Sequence, residues 1–339
     1  MTDIVPVDLL DPEGEELARA WLDVYVAVQD DLLEGRGSPW TLAELQELHR
    51  APEKRRSAFA AVADRTVVGS VEVIETLRDN PDSAMIWLAV HPDHRGRGVG
   101  TALLQHAERV ATDDGRTVLR SETEWLADST DEGEGFAIRH GYAVAQTSLR
   151  SDLALPADVA ELTRLRDGSE PSDAGRSTAY AMESVTGMPP GGWLDALAEL
   201  NRRMSTDMPL GDLALEEEDW DAERVRRAMQ RLLDAGRALL TSVARHRESG
   251  RLVGFTEVGV SAGTPDLAYQ GSTLVLKEHR GHGLGLRLKA ANSLAVMDTL
   301  PAVTRVRTWN ADDNVHMLAV NRRLGYLLDA YQRLWQKRL

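Results

Sequence analysis

From Glu15 to Leu33 the apolar residues recur at the three-to-four spacing of one helical face, and Leu42–His49 repeats that spacing over a shorter stretch. Ile4–Leu9 before them reads as a strand. Apolar or alternating runs at Ala58–Ala63, Thr66–Ile74 and Ala84–Val90 predict three more. Beyond these, Leu103, Leu104, Ala107, Val110 and Ala111 fall on one face of a helix. A strand near Thr117–Glu122 follows, then a short helix at Phe136–His140 ended by Gly141 at a C-cap position. The order then returns. Strands are predicted at Ala179–Val185, Leu239–Ala244, Leu252–Val260, Ala268–Leu276 and Val303–Trp309. Helices are predicted at Trp193–Met204, Asp221–Ala235 and Asn314–Leu324, and a further helix carries Leu284, Leu288, Ala291 and Ala295 on one face. Between the two sets, Ala157–Leu165 has helical spacing and Asp167–Ser177 is polar and rich in Gly, Pro and Ser, as a flexible linker is. The expected organisation is a domain over residues 1–152, a linker over 153–177 and a second domain over 178–339.

The recurrence extends to individual residues. Arg95-Gly96-Arg97-Gly98-Val99-Gly100 and Arg280-Gly281-His282-Gly283-Leu284-Gly285 both read R-G-x-G-x-G, 185 residues apart. The same offset places Gly69 on Gly254, Glu72 on Glu257, Val90 on Val275 and His94 on His279. One fold is used twice. In each copy a glycine-rich turn follows an apolar strand and opens a helix. Such a turn leaves several backbone N–H groups unobstructed, and the helix adds the positive end of its dipole, which makes a site for phosphate or pyrophosphate.

Composition narrows the function. With 339 residues and 42% hydrophobic content, the chain can build two real cores. Its net charge of −15 argues against nucleic acid as a partner and leans toward cationic small molecules. Without cysteine there is no disulfide, no thiolate metal site and no acyl-cysteine intermediate. The histidines show no metal-ligand spacing, so no metal is expected. No signal-peptide pattern opens the chain and no long apolar run crosses a membrane, so the expected location is the cytoplasm.

The order strand, R-x-x-G-x-G loop, helix, strand and short helix ending in Gly-Tyr resembles the GNAT superfamily of acyl-CoA-dependent N-acyltransferases. His140-Gly141-Tyr142 and Leu324-Gly325-Tyr326 carry the last element. The duplicated layout is similar to that of tandem GNAT proteins of actinobacteria. The resemblance implies an α/β (α+β) fold class, with two tandem GNAT domains, each a mixed, mostly antiparallel sheet flanked by helices. It implies acetyl-CoA as acyl donor and the primary amine of a small molecule as acceptor. The contrasting possibility is an acyl-CoA-binding sensor without turnover.

The resemblance also assigns roles. Gly96, Gly98, Val99 and Gly100, with Gly281, His282, Gly283, Leu284 and Gly285, match the backbone that holds the cofactor pyrophosphate. Arg95, Arg97 and Arg280 stand where a cation would assist. Val90 and Val275 end the strand along which pantetheine pairs. Glu72 and Glu257 match carboxylates that take the proton of the acceptor ammonium, and Glu257 is the favoured base because only the second copy adds Asn310, Asn314 and Asn321. A tyrosine that protonates the leaving thiolate in many members is here Asn321 or Ala137, so the acid step departs from the family. Asn310 and Asn314 are candidates for the pantetheine amide, and Asn314 is equally placed as a helix cap. The acidic run Glu216–Asp219 could select a cationic acceptor or simply be a solvated helix start.

Overall fold

The computed structural model describes residues 2–168, 177–207 and 216–339 of the 339-residue chain. They form two compact units that do not follow a simple division of the sequence. The first gathers the chain up to Thr147 together with Ala330–Leu339, and the second lies within Ser148–Asp329.

In the first unit, β1 (Asp3–Val7), β2 (Lys54–Ala63), β3 (Thr66–Thr76) and β4 (Ser83–Val90) form consecutive antiparallel pairs. β5 (Val118–Leu126) lies parallel to β4. Residues Ala330–Arg338 of β12 (Leu327–Arg338) close the sheet against β5. Helices α1 (Glu15–Leu33) and α2 (Leu42–His49) cover one face, where Ala18, Trp21, Leu22 and Leu45 bury Ala58 and Ala60. A capping box between Thr41 and Glu44 starts α2. α3 (Val99–Asp113) covers the opposite face with Leu103, Leu104 and Ala107 against Val71, Val73, Ile86 and Leu119. Gly69 permits this approach: a Cβ there would stand 2.8 Å from Leu103 Cδ1. α4 (Glu134–Arg139) follows β5.

The second unit repeats the frame. Its strands are the Ser148–Ala154 part of β6 (Ala143–Ala154), β7 (Tyr180–Thr186), β8 (Ala238–His246), β9 (Leu252–Val260), β10 (Leu267–Val275) and β11 (Arg305–Ala311). They are ordered β6-β11-β10-β9-β8-β7. α6 (Leu194–Asp207) and α7 (Ala222–Asp234) take one face and α8 (Leu284–Thr299) the other, followed by α9 (Val315–Leu324). α5 (Val159–Asp167) lies on α8 with Leu162 and Leu165 buried in the same core.

The expected fold class holds, and most helices and strands fall where the apolar pattern placed them. The two strands the pattern missed are β6 and β12, and these are the strands that change places. By sequence order β6 should complete the first unit and β12 the second; instead β12 pairs with β5 and β6 with β11. Hence the first unit ends at Thr147 rather than residue 152 and includes the far end of the chain. The expected linker, residues 153–177, contains the end of β6 and all of α5; its residues 169–176 lie outside the described segments.

Charge explains why β6 escaped notice. Arg150 and Arg307 are fully buried in the second unit. Arg307 donates from Nε and Nη2 to both oxygens of Asp152, at 2.9 and 2.8 Å, and from Nη2 to Asp329 at 3.3 Å. Arg150 Nε donates to Asp329 Oδ2 at 2.9 Å. A strand whose inward positions are Arg and Asp does not read as a core strand.

β12 anchors the first unit through Trp335, which is buried among Ile86, Leu103 and Leu119 and donates from Nε1 to Thr123 Oγ1 at 2.9 Å. Trp335→Ala is expected to cost the first unit about 3–5 kcal/mol. Leu327→Ala, at a position 75% exposed on the same strand, should cost under about 0.5 kcal/mol. Urea unfolding of both variants checks this; equal midpoints would show that β12 adds no stability.

Candidate active site

Each unit contains a divergence of two parallel strands. In the first, β4 and β5 pair only over Ser83–Met85 and Val118–Arg120. In the second, β10 and β11 pair only over Leu267–Tyr269 and Arg305–Arg307. Beyond these residues the facing backbone edges separate, while the outer edges remain paired with β3, β12, β9 and β6, interrupted only between Gln270 and Thr273 of β10. An unpaired strand edge inside a sheet is a template for an extended ligand with its own amide groups.

The glycine loops stand at the ends of β4 and β10. Gly98 and Gly283 are the N-cap residues of α3 and α8, at φ +84° and +65°, and Gly96 and Gly281 are also left-handed. A side chain there would be strained, and at Gly96, Gly98 and Gly281 no other atom lies within 4 Å of where a Cβ would stand. The first-turn N–H groups of each helix have no acceptor within it. Val99 and Leu284 turn their side chains into the cores, leaving only backbone for the loop surface. Val90 and Val275, each at the end of its strand, pair with Gly69 and Gly254.

The cations around the two loops differ. Arg97 is exposed and no carboxylate pairs with it among the described residues. Arg95 is held by Asp31 at 2.8 Å and Glu132 at 3.3 Å. Arg280 donates to Asp207 at 3.0 Å and to the Val275 carbonyl at 3.0 Å, and Lys277 holds the other Asp207 oxygen. His282 leans on the ring of Tyr180. The approach differs too: the Phe136 ring lies 3.3 Å from where a Cβ would stand at Gly100, whereas the corresponding space at Gly285 is open.

The two repeated glutamates are in opposite states. Glu72 is fully buried, accepting from His49 at 2.8 Å and from Arg56 at 3.0 and 3.1 Å. A carboxylate so enclosed has no lone pair turned outward for an incoming ammonium, which argues against the base role expected for Glu72. Glu257 is half-buried on β9, between inward-facing Thr256 and Val258, and so lies on the α6/α7 face. No cation pairs with it among the described residues. Burial alone pushes its carboxyl up to about 7. Opposite it β10 carries a bulge between Gln270 and Thr273, and Glu257 Oε2 lies 3.9 Å from where a Cβ would stand at Gly271. β4 pairs with β3 without any such shift.

On the opposite, α8 face, Asn310 of β11 stands in the diverged stretch. Asn321 of α9 donates from Nδ2 to Asn310 Oδ1 at 2.6 Å and is itself buried. Asn314 caps α9, accepting from the Met317 N–H at 3.2 Å; that role accounts for its carbonyl oxygen. Ala137 is buried in the first core and has no polar atom to offer. In the acidic run, Glu216 and Glu217 are exposed, while Glu218 accepts from Trp220 Nε1 at 2.6 Å.

Residue patterns did not single out Glu122. It lies on β5 just past the divergence, accepts from Gln332 Nε2 at 3.3 Å, and is pushed up to about 7, first by burial and then by the charge of Glu124. The alternation Ser121-Glu122-Thr123-Glu124 was the available signal, but glutamates on alternate strand positions usually face water.

The family model for the acetyltransferase (GNAT) family matches residues 21–124. Over 102 residues the chain is 34% identical to mycothiol acetyltransferase of Nocardiopsis dassonvillei, covering 30% of this chain and 28% of that protein. Over 178 residues it is 29% identical to mycothiol acetyltransferase of Rothia mucilaginosa, covering 46% and 49%. The match therefore spans half or less of these curated relatives. Among solved structures, a tandem GNAT protein from the clavulanic acid biosynthesis pathway superposes with a TM-score of 0.79 at 26% identity, over 100% of this chain and 98% of that one. A GCN5-related N-acetyltransferase from Sphaerobacter thermophilus shares the fold, with a TM-score of 0.68 at 18% identity, over 99% and 95%.

A carboxyl held near 7 by burial binds a proton more readily folded than unfolded, so its contribution to stability falls as pH rises from about 4.5 to 7. Glu257→Gln is thus expected to raise stability at pH 8 by about 1–3 kcal/mol. Glu72→Gln should lower it, because Arg56 and His49 lose a buried acceptor. Thermal melts of both variants at pH 5 and pH 8 check the signs; a Glu257→Gln chain no more stable at pH 8 contradicts the assignment.

Proposed function

We propose that the chain is a GNAT acetyltransferase with two such folds in tandem, and that it transfers the acetyl group of acetyl-CoA to the primary amine of a small cationic acceptor. The observation that carries this reading is the divergence of β10 from β11 directly below the loop Arg280–Gly285, with Glu257 beside it. Acetyl-CoA supplies an activated acyl group on a good leaving thiolate, and the residues supply position, charge and a proton acceptor.

The left-handed glycines and the first turn of α8 fit a pyrophosphate, which needs donors at close range and no side chains. The free edge of β10 offers backbone N–H groups to the amides of an extended arm and to the thioester oxygen as negative charge develops there. Glu257 takes one proton from the acceptor ammonium, because an amine attacks only through its free lone pair. A carboxyl near 7 is suited to this at neutral pH: it is substantially ionised, yet basic enough to accept. The amine then displaces CoA directly, so no acyl-enzyme is required, in keeping with a chain that has no cysteine.

The second copy is proposed as the working site. Among the described residues no cation pairs with its glutamate where Glu72 is bound, and the space at Gly285 is open where Phe136 lies on Gly100. The first copy, with Arg97 free beside its loop, is proposed as a second acyl-CoA site. Acceptor charge is assigned to the exposed Glu216 and Glu217 and to the chain's −15 balance.

Free-thiol release from acetyl-CoA across a panel of small amines tests the proposal. Turnover should rise with pH through about 7, and Glu257→Gln should lower it about a hundredfold while Glu72→Gln stays within about threefold. The acceptor KM should increase between 50 and 500 mM salt as charge attraction is screened. Absence of acetyl-CoA binding at millimolar concentration overturns the reading. Binding without release to any amine would favour the acyl-CoA sensor.

A further inference from the structure

Helix α8 carries a lysine in the protein interior. Lys289 is 1% exposed, and its Nζ donates to Asn321 Oδ1 at 2.6 Å and stands 4.8 Å from the centre of the Tyr326 ring. Asn321 in turn donates to Asn310, giving a continuous chain from α8 through α9 to the diverged part of β11. This chain lies on the α8 face of the sheet and Glu257 on the opposite face. The two groups therefore address the slot from its two sides.

We propose that Lys289 is a positioning residue for the leaving-group side of acetyl transfer: it fixes the Asn321 amide so that an Nδ2–H is presented to the sulfur of the departing CoA. The inference rests on the acetyltransferase reading above. The Lys289 Nζ donates to the amide oxygen and so holds it toward itself. Turning the amide over would set donor against donor and leave Asn310 Oδ1 with only the long 3.5 Å contact from Thr308 Oγ1. One Nδ2 proton goes to Asn310, and the other has no acceptor among the described residues. Hydrogen bonds in such a chain polarise one another, so the Nζ–H donor at its far end strengthens the terminal donor. No proton leaves Lys289. The amine–carbonyl bond forms, the C–S bond breaks, and the electron pair stays on sulfur as a thiolate that the amide steadies. An amide in the place of a phenol thus becomes a workable arrangement. The first copy has no counterpart, because the 185-residue offset puts Leu104 in place of Lys289, and Ala137 stands at the position of Asn321.

The test uses the full chain in the thiol-release assay, with Lys289→Met and Lys289→Gln; each variant is admitted if it melts cooperatively. Lys289→Met should lower kcat about tenfold to a hundredfold, with the KM values for acetyl-CoA and amine within about twofold of the unaltered chain. Lys289→Gln restores a donor to Asn321 Oδ1 and should recover part of that kcat, a rescue that a merely structural lysine would not give. Single-turnover acetyl transfer should slow as kcat does. Wild-type kcat in Lys289→Met, a defect confined to KM, or no recovery in Lys289→Gln overturns the role of Lys289. If Glu257→Gln is slow in the same assay, the acetyltransferase reading survives that result. No turnover by the unaltered chain with any amine overturns both.

Discussion

A backbone amide in a protein interior has to be paired, and in each unit two neighbouring strands leave their facing edges unpaired after three residues. The remaining features gather around that constraint. The outer edges stay paired on both sides of the opening, with one bulge in β10 between Gln270 and Thr273, so the opening is a fixed gap rather than a frayed end. The glycine loop stands at one end of the gap because the strand that forms its wall runs directly into the turn. Gly69 and Gly254 then let the loop helix approach closely: a Cβ would stand 2.8 Å from Leu103 Cδ1 at Gly69 and 3.2 Å from Leu288 Cδ1 at Gly254. An extended ligand with amides along its length and phosphate at its end matches both halves of the arrangement.

Within this frame the two copies diverge in their side chains. Backbone requirements are the same in both, so the glycines recur and are readable from sequence. The carboxylates recur too, but their neighbours do not. Arg56 and His49 bind Glu72 into the fold, while Glu257 has no cation beside it among the described residues and is left basic. Sequence offset therefore identified an equivalent position without identifying an equivalent chemical group. The partners that enclose Glu72 are drawn from α2 and β2, which no local motif encodes.

The same distinction marks how much of the fold was legible. Helices α1 and α2 and strand β9 matched their apolar patterns end to end, because α1 and α2 bury one face and β9 both faces in ordinary apolar cores. β6 and β12 did not, because their partners are far away in sequence. Arg150, Asp152 and Asp329 look like surface residues until Arg307 is brought to them. A buried charge left unpaired costs several kcal/mol, so the cluster penalises any strand arrangement that separates its members. Such a cluster adds little net stability over apolar packing. Its effect falls on which strand is accepted, and strand choice is what a duplicated chain has to settle.

Helix α8 poses the same question about buried polarity in a different form. It is covered by the sheet on one side and by α5 on the other, yet it carries Lys289, Asn292 and Ser293 inward. Asn292 accepts from Ser242 at 2.9 Å, and Ser293 donates back to the Lys289 carbonyl at 3.0 Å. At the 185-residue offset, Lys289 and Asn292 correspond to Leu104 and Ala107, which pack the equivalent helix with no polar atoms. The fold can therefore be built without these groups. Desolvation pulls the Lys289 amine down to about 7, so holding it inside works against folding at any pH where the unfolded amine is charged. A helix that gives up stability in one copy and not in the other, at positions bonded through Asn321 to the open edge of β11, places that loss beside the slot.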